Sequence, residues 1–336
     1  MGALELQSAH QNTHWREGLV DLMLRYSIRR FLVLIPLMVG LSVVVFLYVH
    51  MMPGDPVQAM AGPDTNPEVV EQIREELGLN RPLHVQFLDW ARGLLHGDLG
   101  ITFRSRQPIT PILLNRIPAT LELAGGAFLV AVVLGLPPGF MAGLKKDTKF
   151  DYIFSLVALA GLSTPLFWSG YLLMLVLAVK WGKLPAVGYI PFSDNPKLNL
   201  TYLIMPALTL GIGMAPYIAK MTRTAVVESM QEPFVDFARA KGLRRKRIIL
   251  RYIFRHAILS IVVVLGMDIG FLLGGQIVVE ELFNWPGTGR LMVRAVLERD
   301  YFMVQSTILI YAAVFIFLNF CTELIHGLLD PRVRLE

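Results

Sequence analysis

The chain has 336 residues, of which 54% are hydrophobic and only 17% charged, and it adds 28 glycines. Soluble domains are about 45–50% apolar with glycine included, so water-facing side chains cannot cover this surplus and a bilayer is the expected surroundings. A single cysteine, Cys321, excludes an internal disulfide framework and any multi-cysteine metal site, and the net charge of +5 informs only through where the basic residues fall.

Residues 1–26 are polar and read as an N-terminal cytoplasmic segment. The first span, 27–52, has an uncharged core from Phe31 to Val49 behind Arg25, Arg29 and Arg30. That core is too long for a signal-peptide apolar region, so the span is expected to stay uncleaved. Residues 53–118 form a polar, extracytoplasmic region with two short amphipathic helices. Asn66 and Pro67 supply an N-cap and first-turn proline, and Gly78 a stop. From Pro82 to Leu95, the spacing of Leu83, Phe87, Trp90 and Leu94 predicts a helix lying on protein or membrane surface.

The remaining spans are expected at 119–144, 151–180, 202–222, 257–279 and 303–327, separated by outer loops at 181–201 and 280–302 and followed by a tail at 328–336. No formal charge occurs from Tyr152 to Val179, and Ser163-Thr164-Pro165 predicts a kink there. Ten basic residues against three acids lie between Lys220 and Arg255, and Lys145, Lys146, Lys149, Arg332 and Arg334 fall on the same side. The positive-inside rule then puts both termini and the 223–256 loop in the cytoplasm. Basicity here marks topology, so nucleic-acid binding is not expected.

Catalytic signatures are absent: no GxxxxGK[ST], HExxH or GxSxG occurs, and Gly161-Leu-Ser-Thr-Pro165 lacks the final glycine. His10 and His14 are four apart but have few other ligands beside them, so no metal site is expected. An intramembrane hydrolase would need a nucleophile with a base, and the spans offer no such pair. The informative segment is 232–242. Pro233 and Gly242 delimit a helix of about nine residues that puts Phe234, Phe237 and Ala238 at i, i+3 and i+4. Such a patch suits either a partner's groove or the lipid headgroup layer, and periodicity alone does not separate the two.

Asp236-Phe-Ala-Arg-Ala-Lys-Gly242, followed by a basic helix into a late span, resembles the EAA loop of ATP-binding-cassette (ABC) importer permeases. Met52-Pro-Gly-Asp-Pro56, Glu76-Leu-Gly-Leu-Asn-Arg-Pro82, Gly97-Asp-Leu-Gly100, Ala119-Thr-Leu-Glu-Leu123, Met221-Thr-Arg223, Phe283-Asn-Trp-Pro-Gly-Thr-Gly-Arg290 and Asp330-Pro-Arg332 narrow the resemblance to the dipeptide, oligopeptide and nickel permeases. Asp236 stands where the general motif has glutamate, and Ser260 where these permeases often carry proline.

The resemblance implies an all-α integral membrane protein with six transmembrane helices and the type I importer fold, in the bacterial inner membrane. It implies a homologous second permease, two cytoplasmic ATPases that bind ATP and magnesium, and an extracytoplasmic substrate-binding protein. No cofactor is expected in this chain. Pro233, Phe234, Val235, Asp236, Phe237, Ala238, Arg239, Ala240, Lys241 and Gly242 become the ATPase-docking coupling helix, with Phe234, Phe237 and Ala238 inserted in the groove. Trp285, Pro286, Gly287 and Arg290 would face the binding protein. The implied cargo is short peptides, with nickel or another small solute as the alternative. Asp268, in the fifth span among Gly266, Gly270, Gly274 and Gly275, is expected to be a buried carboxyl hydrogen-bonded to a neighbouring helix rather than a substrate contact.

Overall fold

A computed structural model describes residues 32–51, 57–58, 65–103 and 105–329. His10, His14, the arginines before the first span, the whole of the 52–56 motif and the tail motif Asp330-Pro-Arg332 lie outside the described residues. The described secondary structure is helical apart from one isolated bridge between Ile101 and Pro108.

Helix α1 spans Leu32–His50. Two short helices follow, α2 (Pro67–Glu76) and α3 (Leu83–Leu95). Asn66 accepts the amide of Glu68, and Gly78 turns the chain at φ +66°, so both ends of the α2 unit form as its sequence dictates. Phe87, Trp90 and Leu94 of α3 pack on Phe46 of α1 and Leu309, which fixes that amphipathic helix against protein.

The central pair is α4 (Ile109–Leu144) and α7 (Pro196–Gln231), each of 36 residues. Thirty-six residues give about 54 Å, longer than the ~30 Å hydrocarbon core, so both helices run past the apolar stretches expected at 119–144 and 202–222. Gly135, Gly139 and Gly143 recur every fourth residue on α4. A Cβ at any of them would collide with Ala215, Ala219, Arg223 or Val226 of α7. With little hydrophobic drive between helices in lipid, close backbone approach through small residues is what holds such a pair.

The expected single span at 151–180 is two helices, α5 (Lys149–Ser163) and α6 (Leu166–Leu173), the second continuing as a π-helix over Met174–Lys180. The axes bend by 99°, far more than a kink. Thr164 is extended because the ring of Pro165 disfavours a helical residue before it. Ser163 and Thr164 hydroxyls donate to the Leu159 and Ala160 carbonyls and so satisfy groups that the break exposes. Among the described residues five helices are long and apolar enough to cross a membrane, or six if this bent pair is one span.

After α7 come α8 (Pro233–Ala240), α9 (Arg245–Ile248), a π-helical turn (Ile249–Ile253), α10 (Phe254–Leu282), α11 (Thr288–Leu297) and α12 (Tyr301–Leu329). Ser260 lies within α10 without breaking it. The largest core gathers α4, α7 and α10 around Leu123, Met205, Leu210, Met214, Ile218 and Leu272, capped by Phe283 and Trp285.

Candidate functional site

Helix α8 is the segment singled out by its proline and glycine punctuation. Pro233 occupies the first turn, where no intrahelical donor is needed. At the other end Gly242 takes φ +69° and the amides of Gly242 and Leu243 return to the carbonyls of Arg239 and Ala238 at 2.9 and 3.3 Å. This double closure is the Schellman arrangement, and Leu243 packs in the same cluster as Ala238.

The two ends fix the rotation of the helix. Val235 and Ala238 are buried and join Ala225, Val226, Ile248, Ile253, Ala257 and Ile261 in a core at the basic end of the molecule. Phe234 packs sideways, with its ring 5.3 Å from His256 and 6.4 Å from Tyr252. Phe237 points away from all of these and is 69% exposed. The grouping of Phe234, Phe237 and Ala238 as one inserted patch is therefore corrected: Ala238 and most of Phe234 hold the helix to its own chain, and Phe237 alone is free. Pro233, Asp236, Arg239, Ala240, Lys241 and Gly242 share its exposed side, with Asp236 and Arg239 paired at 3.2 Å.

At the opposite end of α10, Trp285 and Gly287 are buried and Pro286 and Arg290 partly exposed, so of these four only the last two present surface. The loop centres on Glu280, fully enclosed, which the sequence reading passed over. The carboxylate accepts the Arg290 amide at 2.8 Å and the Thr120 hydroxyl at 3.2 Å, and takes a further bond from the backbone of Gly289. A Cβ at Gly287 would collide with that carboxylate, and one at Gly289 would meet Ile277, the Tyr311 hydroxyl and Glu280. Thr120 also accepts the Thr288 amide at 2.8 Å, Thr288 donates to Tyr311, and the Trp285 indole N–H bonds the Ala119 carbonyl at 2.7 Å. Four helices, α4, α10, α11 and α12, meet on one buried carboxylate.

In the loop before α7, burial and the neighbouring Glu122 carboxylate push the Tyr189 phenol up to about 12, so it acts as a neutral donor to Glu122. Asp268 is 7% exposed and its Oδ2 makes no hydrogen bond, so the expected bond to a neighbouring helix is not made by that atom. Among the described residues no group of three or more histidine, cysteine, aspartate or glutamate side chains could hold a metal ion.

These features define an all-α, multi-pass membrane subunit with an outward aromatic on a rigidly mounted loop helix. Residues 135–335 match the family described as binding-protein-dependent transport system inner membrane component, and residues 23–124 match the N-terminal unit of such membrane components. The chain is 37% identical over 336 residues to the dipeptide transport system permease protein DppB of Escherichia coli (strain K12), covering 93% of this chain and 99% of the relative. It is 38% identical over 312 residues to the glutathione transport system permease protein GsiC of Escherichia coli O6:H1 (strain CFT073), with the same coverage of 93% and 99%. A solved amino acid ABC transporter with histidines superimposes with a TM-score of 0.46 at 20% identity, covering 66% of this chain and 94% of that one. The chain belongs to the binding-protein-dependent transport system inner membrane components. It is a permease subunit of an ABC importer and a multi-pass protein of the inner membrane, in a family whose transport depends on a substrate-binding protein and an ATPase.

Proposed function

We propose that this chain, paired with a homologous second permease, lines the path by which short peptides enter the cell, and that Pro233–Gly242 is its dock for one of two ATPase subunits. Peptide cargo follows from the relatives, whose names specify dipeptides and glutathione. Phe237 is the observation that carries the docking assignment: a large aromatic stands 69% exposed on a helix whose Val235 and Ala238 are committed inward. An aromatic so placed is an anchor for a groove. ATP and magnesium belong to the ATPases in this reading, and this chain contributes the helix that transmits their movement.

The bent pair α5–α6 counts as one span, giving six crossings with both termini on the side of the basic loop. Cysteine labelling in intact cells tests the sidedness: Ser105→Cys should react from outside and Lys146→Cys only after permeabilisation, both positions being exposed. A Phe237→Cys variant should cross-link to an ATPase in the assembled transporter. Reversed labelling would overturn the orientation, and no cross-link in a complex that still hydrolyses ATP would overturn the docking role.

A further inference from the structure

A cleft of about 540 Å³ opens beside α8, within the ~300–1,000 Å³ range of small-molecule pockets. Phe234 and Tyr252 give it an aromatic side, and Arg251 and Arg255 a cationic one, with His256 beside them. Ile258 and Leu259 continue it toward the apolar part of α10. Neither Arg251 nor Arg255 makes an ion pair among the described residues, and both are exposed. Ser229 donates its hydroxyl proton to the Ala225 carbonyl, so its 2.9 Å contact with His256 Nδ1 makes that nitrogen the donor and ties the imidazole to α7, leaving the two arginines as the anion-binding groups.

The polarity runs along the helix axis. From Arg251 to Leu259 is about 12 Å, charged at the first end and apolar at the second. A free phosphate would use only the arginines, whereas an amphiphile with a phosphodiester head and an acyl tail matches both ends. Two unpaired arginines at the border of a spanning helix also lie at headgroup depth, where basic residues attract acidic lipid. We propose that this cleft binds the headgroup of an acidic phospholipid, with the phosphate on Arg251 and Arg255 and the start of an acyl chain against Ile258 and Leu259. Because Phe234 of α8 lines it, the occupied cleft would brace the docking helix from the bilayer. The proposal rests on the basic end facing the cytoplasmic leaflet, as argued above.

The assembled transporter, placed in nanodiscs of phosphatidylcholine with or without phosphatidylglycerol, provides the test by native mass spectrometry of retained lipid. Both leaflets are accessible there, so an error in sidedness would not hide binding, and the Ser105 and Lys146 labelling reports sidedness separately. The wild type should retain phosphatidylglycerol over phosphatidylcholine. Arg251→Gln/Arg255→Gln should weaken retention by roughly tenfold or more, and Arg251→Lys/Arg255→Lys should restore it. Equal retention of the two lipids, displacement of the lipid by millimolar inorganic phosphate, or loss of the second permease in place of lipid from the glutamine variant would each overturn the assignment.

Discussion

Arg223 grips Asp151 through two parallel bonds, Nε to Oδ1 at 2.5 Å and Nη2 to Oδ2 at 2.6 Å, with the aspartate side chain almost wholly enclosed. The pair ties the start of α5 to α7, and the Asp147 amide adds a third bond to the same carboxylate at 3.0 Å. Removing one partner leaves an enclosed charge without its counter-ion, which costs about 3–5 kcal/mol. Asp151→Asn and Arg223→Gln should each lower the unfolding temperature in detergent, and the double variant should lose clearly less than the sum. Additive losses would show that the two side chains do not act as a pair.

The inward and outward faces of α8 should separate in experiment. Phe237→Asp alters a side chain that touches little of its own chain, so unfolding should stay within about 2 °C of wild type while ATPase stimulation falls by tenfold or more. Val235→Asp puts a carboxylate into a closed apolar core and should destabilise the subunit by several kcal/mol. Gly242→Ala should cost about 1–2 kcal/mol, because only glycine holds φ +69° without strain. Normal ATPase stimulation in Phe237→Asp would remove the docking role from this helix.

Pro233 and Gly242 made α8 legible in the sequence because each acts on its own backbone, whatever lies nearby. The inward turn of Ala238 was not legible, since it depends on Val226 and Ile253 from other helices. The α5–α6 break was visible as Ser163-Thr164-Pro165, but a local proline does not set a 99° angle, which tertiary packing decides. Glu280 was missed for a related reason. Its partners Thr120 and Arg290 lie 160 and 10 positions away, and a carboxylate at the end of an apolar helix looks like a surface group until they converge. The Gly135, Gly139 and Gly143 series was a readable signal that went unread, a fourth-residue repeat of small residues within a span.

Asp300 should impose a pH dependence. It caps α12 by accepting the Met303 amide at 3.1 Å and also takes the Phe103 amide at 2.9 Å. Burial is the largest influence and outweighs those amides, holding the carboxyl above the ordinary aspartate value of 3.8. A carboxyl that is raised on folding favours the folded state fully below its unfolded value, and that contribution is lost as pH rises through the folded value. The stability difference between wild type and Asp300→Asn should therefore be most favourable to wild type in acid and shift against it toward neutral pH. Thermal unfolding of both proteins across this window measures it, and a pH-independent difference would show that Asp300 is not raised.

The buried carboxylate of Glu280 should behave as a joint between helices. Glu280 accepts from Thr120 on one oxygen and from the Arg290 amide on the other, so every group around it is a donor. Glu280→Gln keeps the shape but turns one acceptor into an amide that faces donors, an error of about 1–3 kcal/mol for each group left unsatisfied. Thr120→Val removes a hydroxyl that both donates to Glu280 and accepts from Thr288, whereas Thr120→Ser retains both functions. Gly287→Ala drives a methyl into the carboxylate and should be the most damaging of the four, because the neighbouring backbone is itself held by the Trp285 amide on the Glu280 carbonyl at 2.8 Å. Unfolding temperature in detergent should fall in the order serine, glutamine and valine, then alanine. If these variants unfold like wild type and lose only affinity for the binding protein, the loop is a contact surface after all and not a buried joint between helices.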